Sequence, residues 1–196
     1  MIAIVDYGVG NLNSVKKAFD FLGAEVVVTG QPETVAAAGK IVLPGVGHFS
    51  SLQALDRAGL REVLLQSAGT GKPFLGICLG MQWLFDGSEE CIEVVGAGIF
   101  PGKCRQFPSF VKSPHVGWNS LDVRPDSRLL RGIAQDSFVY YTHSFHAPLV
   151  AATTAATEYG LQFAGAVERG NIFGVQFHPE KSGEVGISIL KNFCEV

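Results

Sequence analysis

Three residues of this chain have types and spacing suited to nucleophilic chemistry. Cys78 sits in Gly76-Ile77-Cys78-Leu79-Gly80, after an apolar run and directly before the helix-forming stretch that includes Met81 and Gln82. That is the pattern of a nucleophile elbow, in which a buried strand turns sharply into a helix and the reactive residue occupies the turn. Gly76 and Gly80 have no Cβ, so strand and helix can cross closely while Cys78 takes a strained backbone conformation. A thiol placed there meets the partial positive charge and free N–H groups of a helix N-terminus, which favour a thiolate and a developing oxyanion. The plainer alternative is a buried, inert cysteine at a strand end. The two glycines and the strand-to-helix switch favour the nucleophile.

A thiol nucleophile needs a general base, and the base needs an orienting group. The histidines are His48, His115, His143, His146 and His178, and His178 is the one with a carboxylate two positions away, at Glu180. It stands at the end of the apolar run Gly174-Val175-Gln176-Phe177, and Pro179 fixes the turn that follows while removing a competing N–H. An isolated histidine here would read as structural. With Glu180 tethered close by, the pair reads as a base and its orienting acid.

The elements that must position these groups follow from the hydrophobic pattern. A short strand at Ile2–Val5 is followed by a turn, Asp6-Tyr7-Gly8-Val9-Gly10-Asn11, and by a helix whose inner stripe is Val15, Ala18, Phe19 and Leu22, stopping at Gly23. The turn lacks the third glycine of a dinucleotide fingerprint, because that position is Asn13. Strand 25–29, a short helix after Pro32 and strand 40–43 continue a βαβα rhythm. Strands apolar on both faces imply a parallel sheet covered by helices. Pro44-Gly45-Val46-Gly47-His48-Phe49 then leaves a strand at its carboxyl end, where open α/β sheets place their sites, and its N–H groups are free to face a ligand. A simple loop is the alternative for this stretch taken alone. Helical segments near 50–58 and 60–67 lead to strand 73–77 and Cys78.

Beyond Gly87, short apolar runs alternate with turn residues at 94–100, 103–107, 116–123, 138–145, 162–168 and 172–177. They predict antiparallel strands that extend the sheet, with Gly170-Asn171 as a hairpin turn. A closing helix over 184–194 carries Ile187, Leu190 and Cys194 on one side. With no repeat and no linker, residues 1–196 form one compact domain.

Composition narrows the function classes. At 47% hydrophobic and 17% charged residues the chain is globular and core-rich. A net charge of −3 leaves no electrostatic footprint for a polyanion, so nucleic acid is not an expected partner. No apolar run reaches the roughly 18 residues needed to span a bilayer, and Met1–Asp6 is too short for a signal peptide. A cytoplasmic protein without a membrane partner is expected. Cys78, Cys91, Cys104 and Cys194 lack the spacing of a zinc site or a thioredoxin-type pair, so free thiols are expected.

Taken together, Gly76-Ile77-Cys78-Leu79-Gly80-Met81-Gln82 and Phe177-His178-Pro179-Glu180 resemble the class I (triad) glutamine amidotransferases. Within that class the chain looks like the glutaminase subunits of imidazole glycerol phosphate synthase. The likeness extends to Asp6–Asn11, Pro44–Gly47, Ser88-Glu89-Glu90, Pro114-His115-Val116-Gly117-Trp118-Asn119 and Tyr141-Thr142-His143-Ser144. The resemblance implies a single flavodoxin-like α/β domain, its largely parallel central sheet extended by antiparallel strands and flanked by helices on both faces. It further implies Cys78 as nucleophile, His178 as base and Glu180 as orienting acid, with Val46, Gly47 and Leu79 holding the oxyanion. Gln82, Glu90 and the segment His143-Ser144-Phe145 match positions that bind the substrate glutamine; by sequence alone Glu90 is a solvated charge in an acidic turn. No metal or organic cofactor is implied. Ammonia released from glutamine would pass to a separate (βα)₈-barrel cyclase in a heterodimer serving histidine biosynthesis. Trp118, Tyr140, Tyr141 and Phe145 are candidates for the docking face, since large aromatics are enriched at interface hot spots; the alternative is the core, where aromatics of antiparallel strands lie at least as often. The competing expectations are a class I glutaminase of another synthase, and a non-catalytic binding or redox module on the same fold.

Overall fold

The computed structural model describes residues 1–196. The first half alternates strand and helix: β1 (Ile2–Val5), α1 (Leu12–Phe21), β2 (Val26–Thr29), α2 (Pro32–Ala37), β3 (Lys40–Gly45), α3 (Gln53–Arg57), α4 (Leu60–Gly69), β4 (Phe74–Cys78) and α5 (Leu79–Trp83). The second half is mostly strands: β5 (Gly87–Ser88), β6 (Cys91–Val95), β7 (Lys103–Gln106), β8 (His115–Ser120), β9 (Asp122–Val123), β10 (Phe138–His143), β11 (Phe145–His146), β12 (Thr153–Glu158), β13 (Gln162–Arg169) and β14 (Ile172–Val175). Helix α6 (Gly183–Glu195) closes the chain.

The central sheet has the order β2-β1-β3-β4-β14-β13-β12-β9. The first five strands run parallel, and β14, β13, β12 and β9 pair antiparallel in turn. Alternation along the strands separates the core into two layers. Ile2 and Ile4 face α1 and α6 with Phe19, Leu190 and Phe193. Ala3 and Val5 face the other side, with Val35, Leu55, Leu60 and Leu64 of α2, α3 and α4. The Lys40 ammonium ties the end of α6 down by donating to the carbonyls of Phe193, Cys194 and Val196.

Several expectations need correction. Not all the later strands extend the central sheet: β11-β7-β5-β6 form a four-stranded sheet of their own, with β5 and β7 parallel, and β8 pairs with β10 in a two-stranded one. Period-two alternation marks a strand but does not name its neighbour. Run 94–100 stops being strand at Val95, because Ala97, Gly98, Ile99 and Phe100 donate to the carbonyls of Trp83, Leu84 and Phe85 at the end of α5. Run 116–123 breaks at the buried Leu121, so that β9 joins the central sheet. β12 went unread because its Thr-Thr-Ala-Ala-Thr-Glu sequence lacks a large apolar residue. The inner stripe of α6 is Gly186, Ile189, Leu190 and Phe193, with Ile187 and Cys194 only half-buried. The hairpin at Gly170-Asn171 is present, joining Arg169 to Ile172.

Candidate active site

Cys78 ends β4 with φ +53° and ψ −108°, a strained conformation for a residue with a side chain. The close crossing that holds it there depends on the neighbouring glycines. A Cβ on Gly76 would lie 2.5 Å from the Gly80 carbonyl oxygen, and one on Gly80 would overlap the carbonyl of Leu43 in β3. The elbow therefore follows from strand, turn and helix packed at backbone contact.

β14 lies beside β4 in parallel register, with Ile77 opposite Val175. The chain leaving β14 thus carries Gln176 and His178 past the same sheet edge as Cys78. The His178 backbone is held from the other side: its N–H donates to the Tyr140 carbonyl, and Ser182 Oγ bridges the His178 carbonyl and the Tyr140 N–H. His178 Nδ1 donates to Glu180 Oε1 at 2.8 Å. That leaves Nε2 as the basic lone pair, buried and without a hydrogen bond of regular geometry. Burial opposes charge on the imidazole, but contact with Cys78 and Glu180 outweighs it and raises the His178 pKa. The Cys78 sulfur itself faces the Thr142 carbonyl at 3.9 Å and the Gln176 side-chain nitrogen at 3.6 Å.

In front of the sulfur is a cavity of about 240 Å³ lined by Gly47, Cys78, Leu79, Gln82, Glu90, Pro114, Thr142, His143, Ser144 and Phe145. It is smaller than the roughly 300–1,000 Å³ clefts that take drug-sized ligands, and it suits a small polar molecule. Eight of the eleven residues singled out from sequence line it. His178 and Glu180 stand behind the sulfur instead, and Val46 lies beside the cavity without lining it. Gly47 takes φ +99°, a conformation that glycine adopts at no steric cost. Glu90 reaches this segment directly, with Oε2 accepting the Phe49 N–H at 2.7 Å. No group of three or more His, Cys, Asp or Glu side chains is placed to hold a metal ion. A nucleophile, a base with its own acid, backbone N–H groups at a helix start and a carboxylate across a small cavity together can open a carboxamide through an acyl-enzyme.

The model of the family Glutamine amidotransferase class-I matches residues 3–196. The chain belongs to the class I glutamine amidotransferases. Among relatives of this amidotransferase, the imidazole glycerol phosphate synthase subunit HisH of Methanothermobacter thermautotrophicus is 48% identical over 197 residues, covering 100% of this chain and 98% of the relative. The subunit of the same name from Chlorobium luteolum is 47% identical over 200 residues, covering all of both. In fold, the amidotransferase is similar to a crystal structure of a glutamine amidotransferase (TM-score 0.78, 17% identity, 99% of this chain and 97% of that one). The structure of PurLQS from Thermotoga maritima is similar to the same degree (TM-score 0.78, 20% identity, 99% and 97%).

Sequence reasoning missed Gln176, Thr142 and Pro114. Gln176 was legible only through the β4–β14 register, which no local motif carries. Of the aromatics expected at a docking face, Trp118 is 55% exposed and stacks edge-on against the half-buried Tyr140. Tyr141 takes the core alternative: it alternates inward along β10, is fully buried, and bonds Thr157 Oγ1 through its hydroxyl at 2.6 Å. Phe145 is half-buried and belongs to the cavity wall.

Proposed function

We propose that this chain hydrolyses glutamine to glutamate and ammonia and hands the ammonia to a (βα)₈-barrel cyclase, as the glutaminase subunit of an imidazole glycerol phosphate synthase. The observation that carries the chemistry is Cys78 in a strained elbow at the cavity wall, with the bonded His178–Glu180 pair behind it. The full-length similarity to HisH subunits carries the choice of synthase.

Cys78 gives its proton to His178 Nε2 and attacks the carboxamide carbon of glutamine. The tetrahedral oxyanion is met by backbone N–H groups of Leu79 and of the Val46-Gly47 segment, each such donor contributing roughly 3–4 kcal/mol in the transition state. His178 passes its proton to the departing ammonia, leaving a glutamyl thioester, and then takes a proton from the water that hydrolyses it. The Glu180 carboxylate, bonded to Nδ1, stabilises the imidazolium, as the buried aspartate does in serine proteases. Glu90 and Gln82 receive the amino-acid end of glutamine, together with the backbone of His143-Ser144-Phe145. Ammonia in neutral water is protonated and non-nucleophilic, which favours delivery to a docked partner. Val116, Trp118 and Phe138, exposed on the β8–β10 ribbon that also supplies Thr142 and His143 to the cavity, are the face we assign to it.

The test is Cys78→Ala assayed together with a barrel cyclase. Glutamine-dependent synthesis is expected to vanish while synthesis from added ammonia persists. A glutamine-analogue electrophile should label wild-type protein at Cys78 alone. Glutamine-dependent turnover surviving in Cys78→Ala would overturn the reading.

A further inference from the structure

Gln176 is fully buried, and a buried amide is unfavourable unless its donors and acceptor are used. Its orientation can be worked out from one backbone atom. The Phe145 carbonyl oxygen can only accept, and it receives His143 Nδ1 at 2.8 Å and Gln82 Nε2 at 2.9 Å. Gln82 therefore turns its nitrogen to this carbonyl, and the same nitrogen donates to Gln176 Oε1 at 3.1 Å. With its oxygen so occupied, Gln176 directs its nitrogen at the Cys78 sulfur, 3.6 Å away. The sequence of bonds is itself anchored, because His143 Nε2 accepts from His115 Nδ1 at 3.1 Å. Parallel register explains the meeting: Ile77 is opposite Val175, so the next residues, Cys78 and Gln176, stand abreast at the sheet edge.

The sulfur thus has two polar neighbours of opposite effect. The Thr142 carbonyl accepts from S–H and favours the neutral thiol. An N–H donor favours the thiolate. The geometry points to Gln176 as a further catalytic residue, whose side-chain N–H stabilises the thiolate formed when Cys78 gives up its proton and aims the sulfur into the cavity. Gln176 exchanges no proton in this role; the thiol proton still goes to His178. The inference rests on Cys78 being the nucleophile and adds a group that no local motif marks.

The test uses the full chain and the variants Gln176→Met, which keeps the length but removes the donor, and Gln176→Glu, which sets a carboxylate against the sulfur. Alkylation by iodoacetamide is followed across pH by mass spectrometry of the Cys78 peptide, with the half-buried Cys91 and Cys194 as internal references. The pH of half-maximal alkylation at Cys78 is expected to rise by roughly one unit in Gln176→Met and further in Gln176→Glu, with the reference thiols unmoved. Turnover of glutamine beside the barrel partner should fall roughly ten- to a hundredfold in kcat, with little change in KM. Should neither variant fold, wild-type protein still decides the matter, because the Gln176 side-chain amide resonance must titrate with Cys78. An unmoved alkylation midpoint in a folded variant, or an amide resonance that ignores the thiol, overturns the inference. Either result would leave the nucleophile standing if Cys78→Ala is inactive; activity in Cys78→Ala would instead remove the reading beneath it.

Discussion

His178 Nδ1 and Glu180 Oε1 are 2.8 Å apart, and the two side chains are only 2% and 1% exposed. So short and dry a bond fixes the tautomer that leaves Nε2 for the sulfur. Glu180→Gln keeps the shape and removes the charge that stabilises the imidazolium. Turnover of glutamine in the complex should drop by about 10³–10⁴-fold, chiefly in kcat, as for the corresponding change in a serine-protease triad. Steady-state kinetics check it; a loss under tenfold would contradict the role given to the carboxylate.

The elbow glycines and a distant helical glycine should respond with opposite signs. Gly80→Ala forces a Cβ onto the Leu43 carbonyl, which is rigid backbone in mid-sheet, and should destabilise by roughly 3 kcal/mol or more. Gly69, the last residue of α4, has nothing within 4 Å of its would-be Cβ. Gly69→Ala should stabilise by about 0.5–1 kcal/mol. Urea unfolding of the two variants compares them directly.

Acid should weaken the fold through the histidines beside the cavity. Burial lowers the pKa of His115 to about 4. Burial, partly offset by the bond to the Phe145 carbonyl, lowers that of His143 to about 3. The unfolded chain takes up protons near pH 6.5 that the folded one refuses, so stability falls as pH drops from about 6.5 towards 4. The slope is about 1.4 kcal/mol per pH unit for each histidine. His178 acts in the opposite sense: its pKa is raised, so its contribution is complete below 6.5 and is lost only as pH rises above it. Unfolding free energies at pH 7, 6 and 5 test this, and a flat profile would contradict it.

Without its partner, the chain should hydrolyse glutamine poorly. Gly47 lines the cavity whereas Val46 does not, and glycines on both sides of Val46 let that segment change conformation. The proposed barrel partner, with acceptor bound, should favour the competent arrangement and raise kcat at least about tenfold. Full glutaminase turnover by the isolated chain would refute it.

How much of this was legible in the sequence depended on chain distance. Cys78 with its glycines, and His178 with Glu180, lie within a few residues of one another, so turn and strand chemistry sufficed to read them. The βαβα half was equally plain, because period and punctuation agree there. The separate β8–β10 ribbon and the sheet holding β7 were not, since alternation along a strand is silent about its neighbour. Gln176 was hidden for the same reason: its contact with Cys78 spans 98 residues and exists only through register. Core and docking face both stayed open for Tyr141 because β10 turns alternate aromatics to opposite sides, and the sequence does not say which side is wet.

The strand that brings Gln176 and His178 to the sulfur is inserted between β4 and β13, in mid-sheet, although it is last in chain order. During synthesis the thiol would emerge from the ribosome well before the groups that activate it. A nascent chain would therefore carry a dormant sulfur, and reactivity would arise only when the closing strand slots home.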